Sequence, residues 1–531
     1  MSEHRHLIRS ASIITGFTFL SRIFGYIRDQ RQVFLLGTGL AADAFTIAFR
    51  IPNLLRRLVG EGAVSAAFIP VFSRYLAEEK REEAWKFANS MMTVMTVILA
   101  AIAILGVLFS PQLVGLFASG FQDTPGKIEL TSFLNRIIFP YIFFISLSAL
   151  TMGMLNSFQK FGAPAFAPVL LNISIITMSF FAGLFSEPSV ALAIGVLIGG
   201  VLQLAIQLPS LWRAGWRFRP KLDLNHPGVR RAAALMAPVV FGAGIVQVNV
   251  FVDSVFASFL EEGSVTSIYV ADRVMELVLG GYAIALSTAI LPMLSRQAAE
   301  NRIDEMKTTL NFGARLILFI TVPATVGLIV LRQPIIEVLF QHGNFNAQST
   351  ALTTWALLFF ALGLPAFSMV KIIVPAFYAL QDTRTPVKIA FIAMFLNAGL
   401  NFLFFRPLQN GGPPLATTLS ALFNSLALMV IFYRRHGSYG IRGIMVSFLK
   451  FTAAALALGG VTVALINWPG FYFGQPLPRQ VFALAVTIAV GAATYFAVVY
   501  LVGARELKEL LELVLGRRKT SEVVIEQPRV D

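Results

Sequence analysis

The chain has no cysteine, which excludes a disulfide framework, thiolate nucleophiles and cysteine-ligated metal. Histidine is nearly as scarce: His4, His6, His226, His342 and His436 fall near termini or connections and form no H-E-x-x-H pair. No Walker-type G-x-x-x-x-G-K-[ST] string occurs, so nucleotide hydrolysis by that device is also excluded. Charge is depleted too. Only 13% of the 531 residues are charged, where a soluble domain carries about a quarter. What fills the space is apolar: 56% of residues are hydrophobic, mean hydropathy is +0.73, and the apolar residues come in long runs. About 20 such residues cross a hydrocarbon core of roughly 30 Å. Lipid offers no partner to backbone N–H and C=O groups, and the alternation of barrel strands is missing, so the runs must be helices. The fold class is an all-α polytopic membrane protein.

Acidic residues are the scarcer sign of charge, 28 against 42 Lys and Arg, a formal balance of +14. Apolar runs read against punctuation place about fourteen spans. They are 8–35, 40–77, 86–118, 128–158, 164–185, 188–212, 228–260, 264–297, 308–340, 348–381, 385–405, 411–434, 444–467 and 480–503. Pro52, Pro140, Pro238 and Pro365 fall inside them as candidate kinks, since each removes a backbone hydrogen bond. Alternate connections hold most of the basic residues, among them Arg74, Lys80, Arg81, Arg213, Arg217, Arg219, Lys221, Arg296, Arg302, Arg434 and Arg435; the intervening ones offer little beyond Lys127, Arg406 and Arg479. The positive-inside rule puts both termini in the cytoplasm, which needs an even number of spans, and accounts for most of the positive balance without nucleic acid. The N-terminus reads as a retained first helix, because no small-residue cleavage site follows a short apolar stretch.

The chain repeats itself at a spacing of 222 residues: AFIPVFSRYLAEEKREEAWKFAN from Ala67 resembles AILPMLSRQAAENRIDEMKTTLN from Ala289, and Gln159 and Pro164 fall on Gln381 and Pro386. Two lobes with one orientation, related by an axis along the membrane normal, follow from such a duplication. The expected organisation is an N-terminal lobe of six spans over 1–213, a basic cytoplasmic linker over 214–227 and a second six-helix lobe over 228–435. Two further spans occupy 436–504, and an amphipathic cytoplasmic helix and tail occupy 505–531.

Ionisable residues within spans cost about 2.5–3.5 kcal/mol each on insertion scales and are functional candidates by default. Arg22, Arg28, Asp29 and Arg31 lie in the first span, and Asp43, Arg50, Arg56, Arg57 and Glu61 in the second. Asp253 falls in the seventh, with Asp272, Arg273 and Glu276 in the eighth. Arg31, Arg50 and Arg57 are as readily explained by snorkelling or local pairing. Pairing alone leaves an excess of arginine. Guanidinium recognises phosphate bidentately, so an arginine-rich aqueous cavity suits an anionic, phosphate-bearing amphiphile, and the task is transport rather than bond chemistry. Asp253, one turn after Asn249, is a candidate sodium or proton site or a structural hydrogen-bond acceptor, with Lys371, Gln381 and Asp382 as candidate companions. Gly60–Gly62 and Gly280–Gly281 read as kinks or close-packing sites.

The strings SRIFGYIRD, ADAFTIAFRIPNLLRRLVGEGAVSAAFIPVFSRY, FPYIFFISLSAL, PAFAPVLLNISII, YVADRVMEL and PAFYALQDTRTPVKIA resemble the MurJ (MviN) lipid II flippases of the multidrug/oligosaccharidyl-lipid/polysaccharide exporter superfamily. The resemblance implies a fourteen-helix fold working by alternating access. The cargo it implies is lipid II, the undecaprenyl-pyrophosphate-linked peptidoglycan precursor, moved from the cytoplasmic to the periplasmic leaflet. It also implies substrate binding by Ser21, Arg22, Arg28, Arg56 and Arg273, and gating or charge pairing by Asp29, Asp43 and Glu276. Asp253 resembles an acidic sodium ligand of some members, although Tyr378 stands where an Asn is expected. Thr266 stands where a Ser is common and is not assigned to the site. The last two helices match a groove for the lipid tail.

A polysaccharide-lipid flippase or multidrug exporter of the same superfamily is the nearest alternative, and a non-transporting cell-wall scaffold a more distant one. A drug exporter with cationic substrates would favour carboxylates over arginines. A membrane enzyme would need a clustered acidic metal site. The expectation is therefore a monomeric inner-membrane transporter, not an enzyme. It needs no cofactor beyond sodium or proton coupling, and its partners are lipid II, membrane lipids and the cell-wall synthesis machinery.

Overall fold

The computed structural model describes residues 2–58, 65–504 and 506–507. It is 85% helical, with no strand among the described residues. Each expected span is a helix or a broken helix. The first is α1 (Ser2–Leu36). The second supplies α2 (Leu40–Arg56) and α3 (Ser65–Ala77), on either side of residues outside the described set, and the third is split into α4 (Arg81–Leu108) and α5 (Ser110–Phe117). The fourth breaks at Pro140 between α6 (Lys127–Ile138) and α7 (Tyr141–Ser157). Next come α8 (Gly162–Ser179), α9 (Pro188–Ala205) with the short α10 (Leu208–Arg213), α11 (Pro227–Ser258) and α12 (Ser264–Ala299). The chain continues through α13 (Ile303–Phe340), α14 (Ala347–Ala379), α15 (Arg384–Leu408) and α16 (Gly412–His436), and ends in α17 (Ile441–Ile466) and α18 (Leu477–Leu501). Pro52, Pro238 and Pro365 sit within helices, whereas Pro140 is the N-cap of α7.

Nine stretches of the described residues are long and apolar enough to cross a membrane, or ten if the pair Ser264–Gly280 and Tyr282–Ala299, bent by 42°, is one span. One of the nine, Arg384–His436, joins α15 and α16. This measure does not reach fourteen: α2 is only 17 residues long and carries Asp43, Arg50 and Arg56. The expected surface helix over 505–531 lies, apart from 506 and 507, outside the described residues, as do Gly60, Glu61 and Gly62.

By packing, the chain forms two compact units. The first comprises Met1–Arg273, Leu339–Ala356 and Ala390–Ser420; the second comprises Val274–Val338, Leu357–Ile389 and Ala421–Asp531. In the first, Phe68, Phe72 and Phe87 form one buried cluster and Phe45, Leu134, Tyr141 and Val196 another. Lipid tails are as apolar as leucine, so close van der Waals packing rather than hydrophobic transfer must hold such helices together. The α8–α9 pair shows how: a Cβ on Gly195 would lie 2.9 Å from Ile175 Cα, and one on Gly199 3.0 Å from Leu171 Cα. In the second unit, Phe319, Phe451 and Tyr495 pack together, and the Tyr495 hydroxyl donates to the Phe319 carbonyl at 2.7 Å.

The spacing of 222 residues reappears in the backbone. Helix α3 ends at Ala77 and α12 at Ala299; α4 begins at Arg81 and α13 at Ile303; α7 ends at Ser157 and α14 at Ala379; α8 begins at Gly162 and α15 at Arg384. Left-handed residues follow the same spacing: Glu79 and Asn301 (φ 57° and 55°), Gln159 and Gln381 (56° and 59°), Gly215 and Gly437 (96° and 78°). The bonds that close these helix ends match as well. Lys80 N donates to Tyr75 O at 3.0 Å and Arg302 N to Gln297 O at 2.8 Å; Lys160 N donates to Leu155 O and Asp382 N to Phe377 O, both at 2.9 Å. These bonds span the last turn, as in a Schellman cap, and demand a left-handed residue just before the donor.

A non-glycine residue in that conformation costs roughly 1–2 kcal/mol. Gln159→Gly and Gln381→Gly should therefore each raise the thermal unfolding midpoint of the purified protein, and the β-branched Val substitutions should lower it. Equal midpoints for the Gly and Val variants would contradict the helix-end geometry.

Candidate functional site

Ser21 and Arg28 are seven residues apart on α1 and so share a helix face. Arg28 is held from both sides. Its Nε and Nη2 donate to Asp29 Oδ1 at 3.0 and 2.6 Å, and its Nη1 donates to Asn172 Oδ1 at 2.9 Å. Asn172 Nδ2 in turn donates to the Ser21 carbonyl at 3.1 Å, tying α8 to α1. Asp29 is the hub: it also accepts from the Tyr269 hydroxyl at 3.3 Å and lies 3.8 Å from Arg273 Nε, while the Arg273 guanidinium sits 4.9 Å from the Tyr269 ring centroid. The side chains of Arg28 and Asp29 are 11% and 9% exposed, and that of Arg273 33%. One carboxylate thus serves two guanidiniums.

Ser21, Arg28 and Arg56 line one cavity of about 250 Å³. Arg56 is steadied by Asn53 Oδ1, one turn earlier, at 3.1 Å. Arg22 is exposed and is not among the residues lining this cavity. Glu276 belongs to the second compact unit. Arg31 lies apart, donating to Ser179 Oγ at 3.3 Å with its guanidinium 4.4 Å from the Phe180 ring centroid, and Arg50 donates to Ser254 Oγ at 2.7 Å.

Asp43 occupies a different place. Its side chain is 1% exposed and is paired with Lys127 Nζ at 2.8 Å. It also accepts from Gly263 N at 2.9 Å, Thr266 N at 2.9 Å and Thr266 Oγ1 at 2.8 Å, so it caps the N-terminus of α12 from another part of the chain. A carboxylate there is favoured by the unpaired N–H groups and the helix dipole. Around it the backbone is interlocked. Thr38 and Ser349 share a buried hydroxyl contact of 2.7 Å, Leu40 N donates to Glu262 at 2.8 Å, and Asn344 N donates to the Phe34 carbonyl at 2.9 Å. Gly263 has φ +92°, and a Cβ there would lie 2.3 Å from the Thr38 carbonyl; Gly37, φ +62°, meets the Asn344 carbonyl at 2.5 Å in the same way. Side chains are excluded at both positions by conformation and by space. Lys127 and Thr266 were not assigned from sequence. Lys127 was nonetheless legible as the one cation of its connection.

Asp253, on α11, accepts from Asn401 Nδ2 at 2.8 Å and from Thr417 Oγ1 at 3.0 Å. Asn401 also donates to Asn397 Oδ1 at 3.2 Å, while its own Oδ1 is buried without a hydrogen-bond partner. One carboxylate, two amides and a hydroxyl form an oxygen-rich set of low charge, which fits a hard monovalent cation. Asn397 and Asn401 are four apart on α15, a same-face spacing readable from sequence. Of the companions considered from sequence, Asp382 bonds instead to Arg435 at 2.6 Å and to Thr385 Oγ1 at 2.5 Å. Lys371 and Gln381 belong with it to the second compact unit. No group of three or more His, Cys, Asp or Glu that could hold a metal occurs among the described residues.

Comparison with known proteins adds a family. Residues 33–469 match the model of a family described as lipid II flippase MurJ. A probable lipid II flippase MurJ from Vibrio cholerae is 36% identical over 518 residues, covering 95% of this chain and 98% of its own. A lipid II flippase MurJ from Burkholderia cenocepacia is 34% identical over 510 residues, covering 94% and 98%. Among solved structures, a lipid II flippase MurJ in an inward closed conformation superposes with a TM-score of 0.78 at 28% identity, over 95% of this chain and 99% of that one. An inward-facing multidrug-resistance MATE transporter shares the fold, with a TM-score of 0.63 at 15% identity over 80% of this chain and 95% of that one.

Removing one partner of a buried ion pair costs about 3–5 kcal/mol. Lys127→Met should therefore lower the unfolding midpoint of the purified protein sharply, and adding Asp43→Asn should recover much of the loss. Additive losses in the double variant would show that the two side chains act independently.

Proposed function

The chain belongs to the MurJ family of lipid II flippases, and we propose that it carries lipid II across the membrane by binding the pyrophosphate of the head group at the Arg28–Asp29–Arg273 cluster. It is a transporter, not an enzyme. A pyrophosphate cannot cross hydrocarbon without a large desolvation cost, and the protein's part is to replace water around it. Arg28 carries the reading: its guanidinium is held by Asp29 and Asn172 and lines a cavity with Arg56 and Ser21. Such a group is oriented before substrate arrives, so less rotamer entropy is lost on binding. Asp29 lets the arginines stay charged and oriented without a ligand.

Movement between leaflets is assigned to alternating access by two six-helix lobes. The paired helix ends at a spacing of 222 residues support that duplication. Placed by the positive-inside rule, in an inner membrane with cytoplasmic termini, the Asp43–Lys127–Thr266 contacts and the Thr38–Ser349 pair belong to the periplasmic side and hold it closed. Arg22 and Glu276 would join the substrate path in other states. Asp253 with Asn397, Asn401 and Thr417 is the candidate site for a coupling sodium ion or proton. The protein is read as a monomer, with the cell-wall synthesis machinery as its partner.

In cells depleted of the native flippase, Arg28→Ala should reduce delivery of lipid II to the outer leaflet by tenfold or more, on the order of one charge-assisted hydrogen bond, with Arg28→Lys intermediate. Normal delivery by a folded, membrane-inserted Arg28→Ala protein would defeat the proposal. The chain has no cysteine, so Thr38→Cys with Ser349→Cys can be oxidised without background. The disulfide should stop transport and dithiothreitol should restore it; continued transport by the oxidised protein would exclude opening at this contact. Asp253→Asn should abolish any dependence of transport on sodium or pH. A dependence that survives it would remove Asp253 from the coupling.

A further inference from the structure

The cavity beside Arg28 reaches into the first compact unit between α7, α8 and α9, and its wall there changes character. Ser148, Asn172, Gln203 and Gln207 are 3%, 5%, 3% and 1% exposed, all neutral, all polar and all on the lining. Polar side chains buried in a membrane protein are costly unless hydrogen-bonded, and these are bonded almost completely. Gln207 Nε2 donates to Ser148 Oγ at 2.6 Å and to the Gln203 carbonyl at 3.1 Å, and the Thr151 hydroxyl donates to Gln207 Oε1 at 3.0 Å. One acceptor is left over: Gln203 Oε1 is buried without a partner.

That leftover atom selects a ligand. An acceptor needs a donor, and neither an ionised pyrophosphate nor a prenyl chain has one to give. Hydroxyl groups and an acetamido N–H do. The lining carries no carboxylate, so a cationic group would find no counter-charge, and apolar surface from Leu171 and Ala149 suits the C–H face of a pyranose ring. A volume of about 250 Å³ falls below the roughly 300–1,000 Å³ of pockets for drug-sized ligands. It admits a single ring rather than a whole head group.

We propose that this cavity is a sugar subsite, in which one N-acetylated sugar of the head group donates from its acetamido N–H or a hydroxyl to Gln203 Oε1. The inference rests on the reading that Arg28 holds the adjoining pyrophosphate. Asn172 joins the two, because it positions Arg28 through Oδ1 and forms part of the sugar wall.

The test is binding of two soluble probes to the full-length protein in nanodiscs: farnesyl pyrophosphate and farnesyl-pyrophosphoryl-N-acetylglucosamine. The wild type should prefer the glycosylated probe by roughly tenfold, the value of one well-made buried hydrogen bond. Gln203→Leu should erase that preference and leave affinity for farnesyl pyrophosphate within about twofold. Gln203→Asn, which keeps a neutral amide acceptor one methylene shorter, should retain part of the preference and guards against a folding defect in the Leu variant. Equal wild-type affinity for the two probes, or an equal loss of both in Gln203→Leu, overturns the subsite. Failure of the underlying reading looks different: Arg28→Ala would then leave farnesyl pyrophosphate binding unchanged.

Discussion

A charge inside a lipid-embedded bundle has to be neutralised, hydrated or hydrogen-bonded, and Asp29 is where this protein meets that requirement. Its two oxygens serve Arg28, Tyr269 and Arg273. Removing that carboxylate would take away a counter-charge that Arg28 and Arg273 share. With it in place the guanidiniums stay oriented when no anion is bound. The consequences extend outward. Arg28 can be aimed at a cavity only because Asn172 holds its other edge, and Asn172 can do so only because α8 lies close against α1.

Close approach is in turn the work of small residues. In a membrane the packing of helices gains little from burying apolar surface, so contact area and hydrogen bonds carry the stability. Gly195 and Gly199 bring α9 against α8, and these two helices, with Ser148 of α7 and Gln207 just beyond α9, supply the neutral polar wall beside Arg28. Around Asp43 the logic is different. There Gly37 and Gly263 let backbone meet backbone, and a buried ion pair capped by the N-terminus of α12 supplies directional bonds. Such bonds are strong when made and costly when half-made.

The two acidic centres also divide the chemistry. Asp29 is surrounded by cations and fits an anionic substrate. Asp253 is surrounded by amides and a hydroxyl, with an unpartnered carbonyl oxygen on Asn401, and fits a small cation. Both began as an ionisable residue in an apolar run; their neighbours separate them.

Much of the fold was legible in the amino-acid order alone. Lipid cannot satisfy a backbone, so apolar runs had to be helices, and a duplication leaves its spacing in the residues that end them; Gln159 and Gln381 show it both as matching letters and as matching left-handed backbone. The excess of arginine within spans, and hence an anionic cargo, was legible for the same electrostatic reason. The break at Phe109 within the third span was not read from the sequence, although Ser110 and Pro111 follow it directly. Nor were the partners: that Asp43 bonds Lys127 and Thr266 rather than an arginine, that Asn401 and Thr417 attend Asp253, and that Gln203 is left with an empty acceptor. A side chain's hydrogen bonds depend on which helix lies beside it, and only tertiary packing brings together residues as far apart in the chain as Asp43 and Thr266 or Asp253 and Asn401.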